Sequence, residues 1–562
     1  MTRRSERWLR GLPGLLAWCM LGGLAVISVV SPDIVAYVLL LYALYWVFRT
    51  CIHLVRLCLG FFYVTKAMQV DWWQRCEMLM TRLPERKREV KTELADWWES
   101  RGINPFGQDL FTGIRKAVSL IFCFIRDQTA FRQYVNLREE YRALVIYDLD
   151  SRRPACERIE HLVIVPVYKE SEAVLGPTLD HLAGVDFPHE RVHVLIAQEA
   201  ADSNADAMQQ WITQTYAHSL PHLYFSRHVL MPGEVAGKSA NQAYAIQWFE
   251  QTVLQQQPID ARHLLVTSLD ADYRMHPQYF AHLTYSYVSD WRRDYHIYQP
   301  IPMFFNNIWR VNMFSRIQAA LGTQIQMARQ FDRRENRSWS SYAASFATIK
   351  QAGYWDVDVL QEDSRLYWKI YFALGEKVRV QPLFLPVYGD AVSAASYGKA
   401  LRNLYEQIRR WAWGATDVPY VLVQSIRHRE IPLRSRLVAC VDVLTNYFNW
   451  ATMPIILGIG TFLPLYLSPH FAQTVMGYNL PVFTSRLLTF TSVVTVVFVT
   501  FDAILSPKKP ADWTPLQRAQ VYVQWLMMPV VGVLFGALPA LDAQTRMLLG
   551  KNLDYKVTEK GV

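Results

Sequence analysis

The sequence predicts an α/β domain, a mostly parallel sheet with helices on both faces, inserted between transmembrane helices at the two ends of the chain. Three observations carry this expectation. Of the 562 residues, 51% are hydrophobic and only 19% charged, too apolar a balance for one ordinary soluble domain. The apolar residues gather in blocks near the two termini, while the middle alternates short apolar runs with charged stretches. From His161 onward that alternation has the strand-then-helix rhythm of a parallel sheet.

At the N-terminal end, Leu9 to Val30 and Ile34 to Ile52 each approach the roughly 20 residues that cross a hydrocarbon core. They read as a hairpin of two spans within residues 1–63, joined at Ser31-Pro32-Asp33. The first block is longer than the apolar run of a cleaved signal peptide and a second follows at once, so both are expected to be retained. Arg3, Arg4, Arg7 and Arg10 precede the first block and Arg49, Arg56 and Lys66 follow the second, which puts both flanks inside. This placement also accounts for the formal charge of +9. Basic residues that flank apolar blocks leave no stripe for nucleic acid, which is not an expected partner. Seven scattered cysteines without C-x-x-C spacing argue against a disulfide framework or a zinc site, and suit a reducing cytosol.

Residues 64–158 are helical in character, with Trp72, Trp73, Trp97 and Trp98 and a charge run from Glu85 to Lys91. They read as a solvated helical face packing near the membrane surface, without chemistry of its own. Residues 159–432 form the central domain, with strands expected at His161 to Val167, Val192 to Ala197, His263 to Leu269 and Tyr295 to Gln299. Sheets of this kind bind ligands outside the carboxyl ends of their strands, so the residues just after each strand matter most.

Residues 433–543 return to apolar blocks at Asn449 to Leu467, Arg486 to Leu505 and Ala519 to Leu541. The stretch Leu433 to Phe448 carries Arg434, Arg436 and Asp442 and suits an interfacial helix. Lys508, Lys509 and Arg518 place the last loop inside, which by counting leaves the C-terminus outside, whereas Lys551, Lys556 and Lys560 place it inside. A broken or re-entrant last block, marked by Pro529, Gly532, Gly536 and Pro539, resolves the conflict. Two short crossings within Leu433 to Leu467 resolve it equally well. Residues 544–562 form the tail.

Three motifs carry chemistry. The strand from His263 runs straight into Asp270-Ala271-Asp272, setting two carboxylates at the mouth of the sheet. Hard cations such as Mg²⁺ bind through one or two carboxylates plus substrate phosphates, although D-x-D is also a common solvated turn. Downstream, Gln361-Glu362-Asp363 opens a helix reaching Tyr371. A carboxylate there suits a general base taking the proton of an attacking hydroxyl, and equally an aspartate N-cap. Third, Gln407, Arg410 and Trp411 stand at Q-x-x-R-W spacing, where an indole offers a stacking face and an arginine a partner for a diphosphate. A basic amphipathic helix resting on the membrane is compatible with the same pattern.

The three motifs in this order, flanked by spans, resemble the family 2 membrane glycosyltransferases, which include cellulose, chitin and hyaluronan synthases. The likeness covers roughly Arg158 to Arg410 and implies a GT-A fold. It implies that Asp272 and Asp270 hold Mg²⁺ or Mn²⁺, that Asp363 is the general base, and that Gln407, Trp411 and Glu362 meet the acceptor while Arg410 meets the diphosphate. The base lies where the family often has Thr-Glu-Asp, with Gln361 in place of the threonine. Val163 to Glu170 looks like the opening strand and loop of the nucleotide site, which implicates Tyr168 and Glu170. Gly237-Lys238-Ser239-Ala240-Asn241 looks like the segment whose lysine touches the diphosphate. Gln198-Glu199 stands where the family shows an aspartate pair, which assigns Glu199 to the nucleobase. The tail Tyr555-Lys556-Val557-Thr558-Glu559-Lys560 is similar to the F-x-V-T-x-K gating loop, with Tyr555, Val557, Thr558 and Lys560 at the matching positions; a frayed basic tail reads the same way.

The resemblance therefore implies an inverting, metal-dependent hexosyltransferase in the inner or plasma membrane with a cytoplasmic catalytic domain. Its partners would be a nucleotide-sugar donor, a glycan or lipid-linked acceptor and the bilayer. A processive polysaccharide synthase that exports its product and a transferase adding one sugar are the two versions; a non-catalytic nucleotide-sugar-binding regulator is the rival from another class.

Overall fold

The computed structural model describes residues 3–332 and 334–553. The gating-loop-like residues Tyr555, Val557, Thr558 and Lys560 lie outside them.

An eight-stranded sheet forms the centre, from β1 (Glu160–Val167), β2 (Val192–Glu199), β3 (His222–His228), β4 (Leu264–Ser268), β5 (Arg274–Met275), β6 (His296–Met303), β7 (Ala343–Ser345) and β8 (Arg379–Tyr388), in the order β3-β2-β1-β4-β7-β6-β8-β5. The half around β1 is parallel, as β1 pairs with both β2 and β4 and β2 with β3. The other half is mixed: β7 runs antiparallel to β4 and β6, β5 antiparallel to β8, and only β6 and β8 are parallel. The sheet is therefore mixed, more so than the sequence pattern suggests. The antiparallel strands are the short β5 and β7, too brief to leave a period in the sequence, and β8 carries Pro382 and Pro386, which mask a strand. Leu162, Val163, Ile164 and Val165 are all fully buried, as expected of a strand covered on both faces.

The coverage comes from α7 (Glu172–Ala183), α8 (Ala205–Tyr216), α9 (Lys238–Thr252), α10 (Tyr279–Val288), α11 (Met313–Arg329), α12 (Phe346–Gln351) and α13 (Glu362–Leu374). Ahead of the sheet stand α1 (Arg3–Val30), α2 (Pro32–Ala67), α3 (Trp72–Thr81), α4 (Leu83–Glu99), α5 (Leu110–Arg126) and α6 (Gln128–Leu149). After it come α14 (Tyr397–Ala412), α15 (Asp417–Arg427), α16 (Leu433–Gly458), α17 (Leu463–Leu467), α18 (Pro469–Ala472), α19 (Val475–Leu505), α20 (Pro515–Val523), α21 (Met528–Gly532) and α22 (Leu538–Leu548).

By length and composition, four helical runs among the described residues can cross a membrane: Trp8–Val30, Pro32–Ala67, Val475–Leu505 and Pro515–Leu548. A fifth arises if α16 and Gly460–Leu467, bent by 49°, act as one span. Leu433 to Phe448 is the first half of α16 and runs on into Asn449 without a break, because no helix-breaker intervenes before Pro454. The last apolar run is interrupted, as its glycines and prolines suggest, by a 3₁₀ turn at Gln524–Met527 and a π-type turn at Val533–Ala537.

The helical ends grip the central domain. Gly60 of α2 lies so close to α11 that a Cβ there would stand 2.7 Å from the Met327 carbonyl oxygen. Arg49 pairs with Glu335 at 2.5 Å and Arg56 with Asp332, pinning α2 to the segment after α11. At the other end Arg409 of α14 pairs with Asp542 of α22 at 3.0 Å, and Gln544 donates to the Tyr447 carbonyl of α16 at 2.8 Å. The helix that carries the Q-x-x-R-W residues is thus held by the C-terminal apolar run.

Candidate active site

Strand β4 ends at Ser268, and the Leu269 amide still donates to Ile164 of β1 at 2.9 Å, so the chain leaves the sheet at Asp270. Asp270 Oδ1 lies 2.5 Å from the Lys238 ammonium, and its Oδ2 accepts from the Ser340 hydroxyl at 2.6 Å. Lys238 is the first residue of α9, and its nitrogen also stands 2.8 Å from Glu362 Oε1. One cation therefore bridges the D-x-D strand end and the start of α13. Burial by itself would lower the Lys238 pKa; the carboxylates of Asp270 and Glu362 overcome this and hold it well above the ordinary lysine range.

Asp363 is the second residue of α13, and it does not cap that helix. The N-cap is Gln361, whose side chain makes no capping bond and instead donates to the Arg410 carbonyl at 2.5 Å. Gln361 thereby ties the second motif to the third. The Asp363 carbonyl accepts the Ser338 hydroxyl at 2.6 Å, and its Oδ1 accepts the Ser364 amide at 2.7 Å. Behind it Arg365 joins Asp417 at 2.8 Å and Asp356 at 3.2 Å, and Ser364 donates to Asp417 at 2.6 Å, so the chain just after Asp363 is anchored. Enclosure by protein pushes the Asp363 carboxyl up to about 8, with the neighbouring Glu362 carboxylate adding to the rise and the Ser364 amide and Lys238 opposing it. A carboxylate poised there has the proton affinity of a general base working near neutrality.

Asp270, Asp363, Gln407, Arg410 and Trp411 line one cavity of about 180 Å³. The turn after β4 meets α13 and α14 there, although Asp270 and Asp363 lie more than ninety positions apart. The sequence offers no signal for the rest of the wall, which includes Trp339, Trp368 and Arg337, with Tyr447 and Trp450 contributed by α16. The aromatic walls offer faces on which sugar rings stack, with arginines at hand for anionic groups. Gly414 permits this closure: a Cβ on it would stand 2.4 Å from the Tyr447 hydroxyl and 3.4 Å from Gln361. Gly414→Ala is expected to cost about 1–3 kcal/mol through overpacking as Tyr447 is displaced, seen as a lower unfolding temperature.

The other candidates lie outside the cavity lining. Asp272 is buried, and its Oδ2 accepts the Asp390 amide at 3.4 Å. Glu362 pairs with Lys238 at 2.8 Å. At the end of β1 the Tyr168 amide donates to the Glu170 carboxylate, and Lys169, at φ +65°, donates through its amide to Asp202 at 2.7 Å. At the end of β2 Glu199 meets His228 at 3.0 Å, and the second ring nitrogen of His228 meets Glu234, also at 3.0 Å. Apart from Glu362, which opens α13, these candidates sit at the carboxyl ends of β1, β2 and β4, the edge where such sheets bind ligands.

The two D-x-D carboxylates suit a hard divalent cation that takes its remaining ligands from a substrate diphosphate. Among the described residues no set of three His, Cys, Asp or Glu side chains is grouped as a metal site, so phosphate oxygens would have to complete the shell.

Residues 265–505 match the glycosyl transferase family group 2 model. The matched segment takes in Asp270, Asp272, Asp363 and the Q-x-x-R-W helix together with α16 and α19. Among solved structures, the chain is similar to the mannosyltransferase PcManGT from Pyrobaculum calidifontis, solved with GDP-Man and Mn²⁺, at 15% identity and a TM-score of 0.40 over 78% of this chain and 99% of that one. It is also similar to residues 1–349 of S. aureus TarS in complex with UDP-GlcNAc, at 14% identity and a TM-score of 0.33 over 60% of this chain and 90% of that one. No curated protein sequence matches it.

Proposed function

We propose that the protein is an inverting membrane glycosyltransferase that moves a sugar from a nucleotide-diphosphate donor to an acceptor hydroxyl. The observation that carries this reading is the convergence of Asp270, Asp363, Gln407, Arg410 and Trp411, from three separate elements, on one aromatic-walled cavity. The nucleotide lies along the ends of β1 and β2, near Tyr168, Glu170 and Glu199. Lys238 and Arg410 take the diphosphate charge, Gln407 and Trp411 the acceptor, and Glu362 holds Lys238 in place. Asp272 and Asp270 hold Mg²⁺ or Mn²⁺, which when bound supplies charge neutralisation to the departing diphosphate.

In the transfer, the acceptor oxygen bonds to the anomeric carbon as the bond from that carbon to the diphosphate oxygen breaks on the opposite face. The acceptor proton passes to Asp363, and nucleoside diphosphate leaves, so the anomeric configuration inverts. Four to five apolar runs among the described residues are long enough to cross a membrane, and together with the flanking Arg49, Arg56 and Lys508 they support a protein of the inner or plasma membrane whose catalytic domain is cytoplasmic. Because α16 lends Tyr447 and Trp450 to the cavity, the acceptor site abuts the apolar helices, which favours a processive polysaccharide synthase that exports its product.

The test is a product assay with radiolabelled nucleotide sugars on the reconstituted protein, with Mg²⁺ or Mn²⁺ supplied. Long polymer is the expected outcome; a single added residue on a lipid or glycan acceptor would retain the transferase and remove the synthase. Donor binding without any transfer would remove both.

A further inference from the structure

Helix α5 is built the wrong way round for a soluble protein. Its side chains Phe111, Ile114, Val118, Ile121 and Phe122 recur at helical spacing and form one stripe, yet they are 70%, 52%, 60%, 60% and 57% exposed. Phe106, just ahead of the helix, is 66% exposed as well. The opposite face is the one that packs, with Cys123 buried and Leu120 laid against the Trp97 and Trp98 cluster. An apolar stripe of this size on a free surface marks a docking site.

Position and charge identify what covers it. At its C-terminal end Phe124 meets Phe62 of α2, with ring centroids 6.4 Å apart. One residue earlier, Phe61 stacks on Phe501 of α19 at 4.3 Å, where α19 reaches Asp502 and then ends at Leu505, just ahead of Lys508 and Lys509. Helix α5 therefore departs from the two spans at the level where the apolar layer ends. From position 101 to 126, the helix and the loop ahead of it carry Arg101, Arg115, Lys116 and Arg126 against a single acid, Asp109. Its 17 residues, interrupted by Arg115-Lys116, are too few and too charged to cross a bilayer. A short helix with an exposed apolar stripe and a basic rim lies in the interface plane.

We propose that α5 is an interfacial anchor that rests on the bilayer surface beside α2, its apolar stripe among the upper acyl chains and its basic residues among anionic lipid headgroups. The proposal does not depend on the sugar chemistry, since it rests on α5 and its neighbours alone.

The test places p-benzoylphenylalanine at Phe122 of the full chain, or at Thr92 on the exposed side of α4 as the solvent control. The proteins are reconstituted in phosphatidylcholine vesicles containing about a third phosphatidylglycerol, irradiated and read by mass spectrometry. An adduct of one phospholipid at position 122, at least fivefold above that at position 92, is expected. Equal yields at the two positions would overturn the proposal, as would an adduct joining position 122 to a second protein chain. A second variant, Arg115→Glu with Arg126→Glu, should reduce the phosphatidylglycerol share of the adduct; an unchanged share would remove the headgroup part of the inference.

Discussion

Asp363→Asn should lower kcat by about 10²–10⁴-fold, the range for loss of a general base, with donor affinity roughly unchanged. The asparagine keeps the shape and the bond from the Ser364 amide but cannot take the acceptor's proton. Wild-type kcat/KM should rise with pH through an apparent pKa near 8, because the carboxyl of the free enzyme is pushed up to about 8 by enclosure and by Glu362. The same shift has a stability signature of fixed sign. Between the ordinary aspartate value of 3.8 and about 8 the folded chain holds this proton while the unfolded chain releases it. Its stabilising contribution is thus fully present below pH 4 and lost as pH rises through 8. Asp363→Asn should unfold at a higher temperature than wild type at pH 8.5 and at a similar one at pH 4. Undiminished turnover by the variant would remove Asp363 as the base, and a flat difference across pH would remove the raised proton affinity.

Lys238→Met should strongly destabilise the resting structure. It takes the cation from between Asp270 and Glu362, whose side chains are 25% and 8% exposed. Breaking a largely buried ion pair by removing one partner costs about 3–5 kcal/mol, and partial exposure of Asp270 sets the expectation at the lower end. Because the proposed diphosphate contact disappears as well, donor affinity should fall by at least about tenfold, which corresponds to 1.4 kcal/mol. Adding Glu362→Gln should restore part of the unfolding temperature without restoring donor affinity. Recovery of both would make Lys238 a purely structural residue, and recovery of neither would mean that Glu362 is not the group stranded by its loss.

Much of the site is legible in the chain because its residues follow local rules. Asp270 is visible as the residue where a buried apolar run ends, and Asp363 as an acidic residue opening a helix. Whether Asp363 caps that helix or faces a cavity is not a local matter. That choice was made by Gln361, which takes the cap position and turns its side chain to the Arg410 carbonyl. Likewise the half of the sheet around β1 is plain from its apolar runs, whereas β8 hides behind Pro382 and Pro386, and β7, three residues long, exists only because β4 and β6 flank it.

By itself, the order of residues determined where the apolar runs lie, which basic residues flank them, and that Asp270, Asp363 and Gln407 to Trp411 occur in succession. These are properties of period and neighbour, set within a few turns of helix or strand. Only the tertiary structure decided that α16 closes the cavity with Tyr447 and Trp450, that Lys238 bridges two motifs, and that the apolar stripe of α5 faces outward. Those facts join residues tens to hundreds of positions apart. The period of a helix shows that it has two faces, but what each face meets is decided by packing.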